Sequence, residues 1–161
     1  IETGNKFKTD LTIIKTVVNS NNKRKTLLIK RVEKILKGNL KNKIITFLGV
    51  TFKPNTDDMR ESSSIPMIEY LNKKNIKIKY YDPSGEKVEF KGLKNVNYCS
   101  TISYACFKAD LIILHTEWND FKLLNFKKLT KKKKFKIYDM RNMYSPSIMK
   151  KLKIDYFGVG R

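Results

Sequence analysis

FLGVTFKPNTDDMRESSS, residues 47–64, is the stretch from which the fold of this chain can be inferred. It begins within an apolar run, Ile44–Leu48, which predicts a buried strand. A polar loop follows, and a serine cluster with Pro66 then opens a segment whose apolar residues recur at helical spacing. A strand, a polar loop and a helix start in this order are typical of the ligand-facing edge of an open α/β sheet.

The loop within this stretch has the chemistry of an anion site. Lys53 and Arg60 supply cations, and the forked donors of an arginine match a phosphate group. The start of the following helix adds unpaired N–H donors and a partial positive charge. A solvated loop in which Asp57 and Asp58 only cap or turn is the alternative, because no GxGxxG follows Gly49 and no phosphate-loop lysine is present.

Beyond residue 43, apolar runs alternate with helical patterns. Strands are predicted over residues 44–48, 76–81, 97–100, 111–115, 135–138 and 154–157. Helices are predicted from residue 65 to 71 and over 102–108, 126–132 and 147–152. Continuous apolar strands with helical crossovers indicate an α/β domain over residues 43–161. Its sheet is expected to be open, mostly parallel and doubly wound (Rossmann-like), with both faces covered.

The first 38 residues form a separate helical segment. Residues 8–37 carry two apolar stripes, Leu11, Ile14 and Val18 in the first, and Leu28, Val32, Ile35 and Leu36 in the second. Residues 19–25 between them are polar on every face, which fits either two helices or one long helix with a solvated middle. Gly38 is a stop signal, and the second stripe is expected to pack on the α/β domain.

Charge dominates the composition, with 35 Lys and Arg against 15 Asp and Glu, a net charge of +20 and a pI of about 9.9. Such a balance is compatible with a nucleic-acid-binding module. The lysines are spread along the whole chain, however, and only residues 131–134 form a run. Aromatic residues are not interleaved with basic ones, so the pattern disfavours RNA binding and leaves a basic nucleic-acid module as the alternative of another class.

The remaining composition indicates an ordinary intracellular domain. No apolar run is long enough to span a membrane and residues 1–10 do not form a secretory signal, so a cytoplasmic location and no membrane partner are expected. The absence of an initial Met predicts a fragment. Cys99 and Cys106 are expected to be buried, reduced thiols, and no metal site is predicted. His115 ends an apolar run, which favours a structural imidazole over a catalytic base, and Asp82 is interpreted as a turn residue rather than a ribose-binding acid.

Four stretches together carry a family resemblance: GVTFKPNTDDMRES (residues 49–62), TEWNDF (116–121), IYDMRNMY (137–144) and YFGVGR (156–161). The chain resembles the nucleotide-sugar dehydrogenases, which oxidise UDP-glucose or GDP-mannose to the uronic acid. The resemblance is to the last third of those enzymes, their UDP-binding domain, and is greater to the UDP-glucose branch than to the N-acetyl-sugar branches. Three of the stretches follow predicted strands, at the edge where a parallel sheet binds ligands.

The resemblance implies roles for individual residues. Phe52 and Lys53 match the Phe-Lys pair that contacts the UDP-sugar, and Arg60 matches an arginine that reaches the NAD cofactor between the two domains. Arg141 matches the arginine of an Asp-Gly-Arg motif that contacts the sugar nucleotide, although Met140 replaces the glycine.

Two alternatives stand beside these roles. Arg141 could instead form a salt bridge to Asp139 or to a neighbouring loop. Trp118 lies in a family-like stretch but is interpreted as structural.

The resemblance also implies what lies elsewhere in the enzyme. The family reaction passes two hydrides to NAD and uses a glycine loop and a Gly-Gly-x-Cys-x-Pro cysteine, neither of which occurs in this sequence. No catalytic residue is therefore expected here, and the chain is predicted to form the UDP-glucose-binding half of a split active site. A GDP-mannose or UDP-N-acetylhexosamine enzyme is the close alternative. The first helix is expected to be the end of a central helix through which the parent enzyme forms a homodimer.

Overall fold

The computed structural model describes residues 6, 7 and 9–160 of the chain. The helices of this part are α1 (Thr12–Ile35), α2 (Ser64–Lys73), α3 (Ile102–Cys106), α4 (Phe126–Thr130) and α5 (Pro146–Lys151). The strands are β1 (Ile44–Leu48), β2 (Lys77–Tyr81), β3 (Val96–Tyr98), β4 (Leu111–Leu114), β5 (Lys136–Asp139) and β6 (Asp155–Gly158). Short 3₁₀ helices cover Val88–Phe90 and Asn119–Phe121. The predicted strands and helices downstream of residue 43 are all present, with small shifts at their ends.

The six strands form one sheet in the order β3-β2-β1-β4-β5-β6, and every pairing is parallel. The predicted open α/β sheet is therefore confirmed. The direction of winding reverses between β1 and β4, which pair directly, with Ile45 opposite Leu111. The carboxyl ends of all six strands lie at one edge, and the crevice beside such a reversal is where open α/β sheets bind ligands.

Alternation along β1 divides the core between the two faces of the sheet. Ile45 and Phe47 pack in a cluster that includes residues of α1 and α2, whereas Leu48 packs in a second cluster with residues of α3, α4 and α5. Thr46 is buried on the face of α3, where its hydroxyl donates to the carbonyl of Ala105 at 2.7 Å. Burying one large apolar side chain stabilises a fold by about 1.5–3 kcal/mol. Because Ile45 and Phe47 are buried on one face and Leu48 on the other, β1 stabilises both layers.

The N-terminal segment contains one long helix, α1, and not two shorter helices, which were the two alternatives that the sequence left open. Val32, Ile35 and Leu36 of the second stripe are buried against the sheet, which confirms that this stripe packs on the domain. The helix ends in a Schellman motif, in which the N–H of Lys37 donates to Lys34 and that of Gly38 to Glu33. Residue 8, at the predicted start, lies outside the described residues.

The first half of α1 is solvated. Ile14 is 48% exposed and Val18 is 39% exposed, so two residues of the first stripe have no extensive cover. Although α1 has 24 residues, no helix in the described part of the chain is long and apolar enough to cross a membrane.

Candidate functional site

Three loops meet at the carboxyl edge of the sheet, after β1, β4 and β5. The hydroxyl of Thr116, in the loop after β4, donates to the carbonyl of Thr51 in the loop after β1 at 2.7 Å. Arg141, after β5, donates from Nη2 to the carbonyl of Phe52 at 3.1 Å and from Nε to that of His115 at 2.8 Å. These are the three stretches that the strand pattern placed at one edge, and the structure joins them by direct hydrogen bonds.

Gly49 allows the first of these loops to leave β1. Its φ of +75° is a left-handed conformation that side chains disfavour. A Cβ atom at this position would lie 2.6 Å from Cβ of Thr116, closer than two carbon atoms can approach. A glycine is therefore required both by the backbone and by the close contact between the first and second loops.

Asp82 follows β2 and holds the same loop from the other side. Its buried carboxylate accepts from the backbone N–H of Val50 at 2.8 Å, and its other oxygen accepts from the backbone N–H and the hydroxyl of Ser84. Both oxygens are thus committed to turning the chain and orienting a loop. This arrangement agrees with the interpretation of Asp82 as a turn residue.

The serine cluster closes the loop after β1 onto α2. The hydroxyls of Ser62 and Ser64 both lie 2.6 Å from the carbonyl of Val50, to which each donates. The N–H of Ser64 in turn points to the hydroxyl of Ser62 at 3.3 Å. The serines therefore take up part of the donor capacity at the start of α2 that the sequence offered to an anion.

Ser63, between them, contacts the only histidine. Its hydroxyl lies 2.9 Å from Nε2 of His115, and Nδ1 of the same ring lies 3.0 Å from the hydroxyl of Thr116. Because the Thr116 hydroxyl gives its proton to Thr51, Nδ1 carries the ring proton and Nε2 accepts from Ser63. Complete burial, with a smaller contribution from the charge of Arg141, lowers the pKa of His115 to about 3. The imidazole is a neutral connector between loops, as the structural interpretation expects.

Arg141 is the residue that all three loops share. Besides the two carbonyls, its Nε lies 2.8 Å from Oε2 of Glu117. The single Nε–H points to His115, so this contact is an ion pair without a hydrogen bond, and Oε2 of Glu117 has no donor within the described chain. Asp139 contacts Arg141 only through the backbone N–H of that residue, at 3.0 Å, and its other oxygen accepts from the backbone N–H of Tyr144 and the hydroxyl of Tyr156. The salt bridge therefore runs to the neighbouring loop and not to Asp139.

A cleft of about 460 Å³ opens beside this arginine. Phe52, Ser63, His115 and Arg141 line its sheet side. The opposite wall is formed by α1 with Asn21, Arg24, Lys25 and Leu28, and Glu61 pairs with Lys25 across it at 2.5 Å. Sequence reasoning missed this wall, although the spacing of residues 21, 24, 25 and 28 puts them on one helix face with a stripe residue.

Two of the expected site residues lie outside the lining of the cleft. Lys53 is exposed, and no carboxylate in the described chain lies within salt-bridge distance of it. Arg60 is 89% exposed and is held by Asp58 through two side-chain hydrogen bonds of 2.9 and 2.8 Å. These hydrogen bonds to Arg60 lower the pKa of Asp58 to about 2. The structure thus brings Phe52 and Arg141 together and leaves Lys53 and Arg60 on the outer rim.

Comparison with known proteins identifies the domain. Residues 46–146 match the profile described as "UDP-glucose/GDP-mannose dehydrogenase family, UDP binding domain". The chain belongs to this family. It is 37% identical over 154 residues to a UDP-glucose 6-dehydrogenase of Rickettsia felis, which covers 94% of this chain and 34% of that protein. A UDP-glucose 6-dehydrogenase of Rhizobium meliloti is 31% identical over 162 residues, 100% of this chain and 37% of the relative.

Solved structures agree on the fold of this dehydrogenase-family domain. A UDP-glucose dehydrogenase from Pyrobaculum islandicum superimposes with a TM-score of 0.76 at 24% identity, over 99% of this chain and 34% of that one. A GDP-mannose dehydrogenase from Pseudomonas aeruginosa superimposes with a TM-score of 0.64 at 16% identity, over 98% of this chain and 36% of that one. The chain therefore spans about a third of the length of the relatives that it matches.

Both cysteines of this family member are buried in the core of the domain. Cys99 and Cys106 are buried free thiols, as predicted. Burial raises the pKa of both, that of Cys106 to about 12, so neither is a thiolate near neutral pH. Trp118 is also largely buried, in the core cluster on the side of α3, and its indole N–H has no partner among the described residues.

Proposed function

We propose that this chain is the nucleotide-sugar-binding part of an NAD-dependent UDP-glucose 6-dehydrogenase. In this proposal residues 43–161 bind UDP-glucose, and residues 1–38 form the end of the helix that leads from the rest of the enzyme. The parent oxidises UDP-glucose to UDP-glucuronate in two hydride transfers to NAD. The chain alone is inactive, since its sequence contains no NAD-binding glycine loop and its two cysteines are buried thiols.

The observation that carries the proposal is the position of Arg141. Its guanidinium donates to the carbonyls of Phe52 and His115 and its side chain is 35% exposed, so the group is fixed in place while part of the side chain stays accessible from the cleft. A fixed arginine can receive a phosphate without reorganising, which strengthens binding. Lys53 follows Phe52 directly and carries a second cation at the same rim.

Arg60 suits the cofactor role that the resemblance implies. Asp58 occupies Nε and Nη2 of its guanidinium, which fixes the orientation of the group and leaves Nη1 for a ligand. An exposed, oriented arginine on the rim fits the diphosphate of a dinucleotide held mainly by another domain. NAD would supply the hydride acceptor, and Arg60 would only help to bind it.

The choice of UDP-glucose rests on the relatives. The relatives from Rickettsia felis and Rhizobium meliloti, which are 37% and 31% identical to this chain, are named UDP-glucose 6-dehydrogenases. Structures that resemble the chain also include a UDP-N-acetyl-mannosamine dehydrogenase from Staphylococcus aureus, at 26% identity and a TM-score of 0.66. A GDP-mannose or UDP-N-acetylhexosamine substrate is therefore the second candidate within the same reaction class.

The proposal is tested by NMR titration of the ¹⁵N-labelled chain with UDP, GDP and a short DNA duplex. Saturable UDP shifts are expected in residues 49–60 and 139–144. The affinity of a partial pocket should be weak, with a dissociation constant of about 1 mM. Lys53→Ala and Arg141→Ala should each weaken UDP binding by about tenfold or more, the value of one charged hydrogen bond.

Matched variants separate a local effect from the general loss of charge. Lys94→Ala removes an exposed cation just before β3, at the opposite edge of the sheet, and should change UDP affinity little. Arg141→Lys keeps the charge but lacks the separate Nε and Nη2 donors that contact the two carbonyls, so it should recover only part of the affinity. Tight DNA binding with a steep salt dependence, and no UDP shifts in the loops, would favour the nucleic-acid alternative.

The full-length parent offers a second readout. Lys53→Ala and Arg141→Ala should raise KM for the sugar nucleotide more than KM for NAD, because both residues belong to the substrate side of the site. Arg60→Ala should do the reverse. Equal changes in both KM values for all three variants would contradict this division of roles.

We also propose that the exposed first half of α1 joins two copies of the parent enzyme in a homodimer. Ile13 is 81% exposed and Val17 is 53% exposed, next to the exposed Ile14 and Val18. Four apolar side chains on one solvated half-helix are more than a monomer surface usually leaves together.

A further inference from the structure

We propose that Arg24 and Arg31 of α1 form a second anion subsite beside Arg141, so that the groove under α1 holds a diphosphate. The identity of the ligand as a nucleotide diphosphate rests on the proposed function. The position of the subsite rests on the contacts of α1 alone.

The groove consists of two adjoining clefts. Arg24 and Leu28 line the cleft of about 460 Å³ that contains Arg141, and the same two residues line a neighbouring cleft of about 470 Å³. Arg31 and Tyr138 belong to the second cleft. The two clefts share Arg24 and Leu28 and therefore adjoin, and together they are the groove between α1 and the carboxyl edge of the sheet.

The spacing of the two arginines turns them towards this groove. Residues 24, 28 and 31 follow the pattern i, i+4, i+7 and therefore lie on one face of α1. Leu28 packs against the core cluster under α1, and Arg24 and Arg31, which flank it, line the second cleft although Arg24 is exposed to solvent. They are about 10 Å apart along the helix axis, and two long side chains can converge on one ligand between them.

The surroundings of Tyr138 support this orientation. Burial raises the pKa of its phenol, whereas the charges of Arg31 and Arg24 act to lower it. Tyr138 of β5 and both arginines line the second cleft. The two arginines are therefore part of the groove lining.

Charge balance indicates what the groove would bind. Lys25 pairs with Glu61 and Arg141 with Glu117, but neither Arg24 nor Arg31 has a carboxylate within salt-bridge distance in the described part of the chain. Three arginines along one groove repel each other, and a ligand with two neighbouring negative charges relieves that repulsion. A diphosphate has this charge and accepts the forked donors of several arginines at once.

The neighbouring lysines of α1 provide the contrast. Lys23 and Lys30 are exposed and line neither cleft, as expected for cations on a solvated helix face. Their substitution removes the same charge from the same helix without changing the groove. They are the matched controls for Arg24 and Arg31.

The test is NMR titration of the labelled chain with inorganic pyrophosphate and with UDP at about 0.15 M salt, where charges further apart than about 8 Å are largely screened. Arg24→Ala and Arg31→Ala should each weaken the binding of both probes by about five- to tenfold, the effect of a partly exposed charged hydrogen bond. Lys23→Ala and Lys30→Ala should change either affinity by less than about twofold. Arg24→Gln, which keeps most of the side-chain stem, should behave like Arg24→Ala, and a thermal melt of each variant checks folding.

The outcomes separate this inference from the proposed function. If the arginine and lysine variants lose affinity equally while Lys53→Ala still weakens UDP binding, the subsite is wrong and the nucleotide function stands. If pyrophosphate binds through Arg24 and Arg31 but UDP binds no better than pyrophosphate, the subsite stands and the nucleotide function fails. If neither probe shifts residues 24–31 or 158–160, the subsite is overturned.

Discussion

Gly49→Ala tests the close contact on which the geometry of the site depends. An alanine at a φ of +75° costs about 1–2 kcal/mol in backbone strain alone. Its Cβ would also lie 2.6 Å from Cβ and 3.0 Å from the backbone nitrogen of the fully buried Thr116. Moving Thr116 weakens its hydrogen bonds to Thr51 and His115, each with a net value of about 1 kcal/mol. With the overpacking itself, the expected loss in the free energy of unfolding is about 3–6 kcal/mol.

Urea unfolding followed by circular dichroism measures this loss. Gly38→Ala is the matched control, because Gly38 has a φ of +71° and a Cβ there would meet nothing within 4 Å. That variant should lose only the backbone cost, about 1–2 kcal/mol. In thermal melts, Gly49→Ala should lower Tm by about 10–20 °C and Gly38→Ala by about 3–7 °C.

A double variant distinguishes a steric contact from a general weakness of the loop. Thr116→Gly removes the Cβ with which the alanine collides at 2.6 Å, so adding Gly49→Ala to it should cost little beyond the backbone strain and the milder 3.0 Å contact with the backbone nitrogen of residue 116. Strict additivity of the two substitutions would refute the proposed contact. So would equal losses in Gly49→Ala and Gly38→Ala, since only the first of these glycines touches another loop.

Two further predictions concern the histidine and the exposed half of α1. When the pH is lowered from 7 to 5, the free energy of unfolding should fall by about 2 kcal/mol. The imidazole of the unfolded chain, with a pKa of about 6.5, binds a proton in this range, whereas the buried His115, with a pKa of about 3, stays neutral. His115 is the only histidine, so His115→Gln should make urea unfolding nearly independent of pH in this range, and an unchanged slope would contradict its burial in the neutral form. In sedimentation equilibrium the chain should associate at high concentration, and Val17→Asp, which charges the exposed apolar face, should return it to a monomer. A wild-type chain that stays monomeric at all concentrations would show that this face does not join two copies by itself.

The sequence determined the α/β architecture because its signals are local. The run Ile44–Leu48 is apolar except for Thr46 and is bounded by Gly49, and the predicted strand and the observed one coincide. Similar runs identified the other strands, and helical spacing identified the crossovers. The same logic placed the loops after β1, β4 and β5 at one edge, since parallel strands all end on the same side.

The sequence left the length of the first helix open for a physical reason. A polar segment over residues 19–25 is compatible with a break or with a solvated middle, and its spacing alone does not separate the two. In the fold, burial of Val32, Ile35 and Leu36 anchors the end of the helix, and the solvated half continues from it without interruption. Tertiary packing of one end therefore decided what propensity could not.

Only the tertiary structure decided which polar groups became partners at the site. Glu61 pairs with Lys25, 36 residues earlier, and Arg141 crosses to the loop of Glu117, whereas the sequence had offered Asp139 as an equal partner. The α1 wall of the cleft was likewise absent from the sequence-based prediction, although residues 21, 24, 25 and 28 lie on one face of the predicted helix. Local patterns determine strands and helices because their causes lie within a few residues. The docking of a helix over a sheet edge depends on packing between distant segments, and that packing determined which side chains of α1 line the cleft beside Arg141.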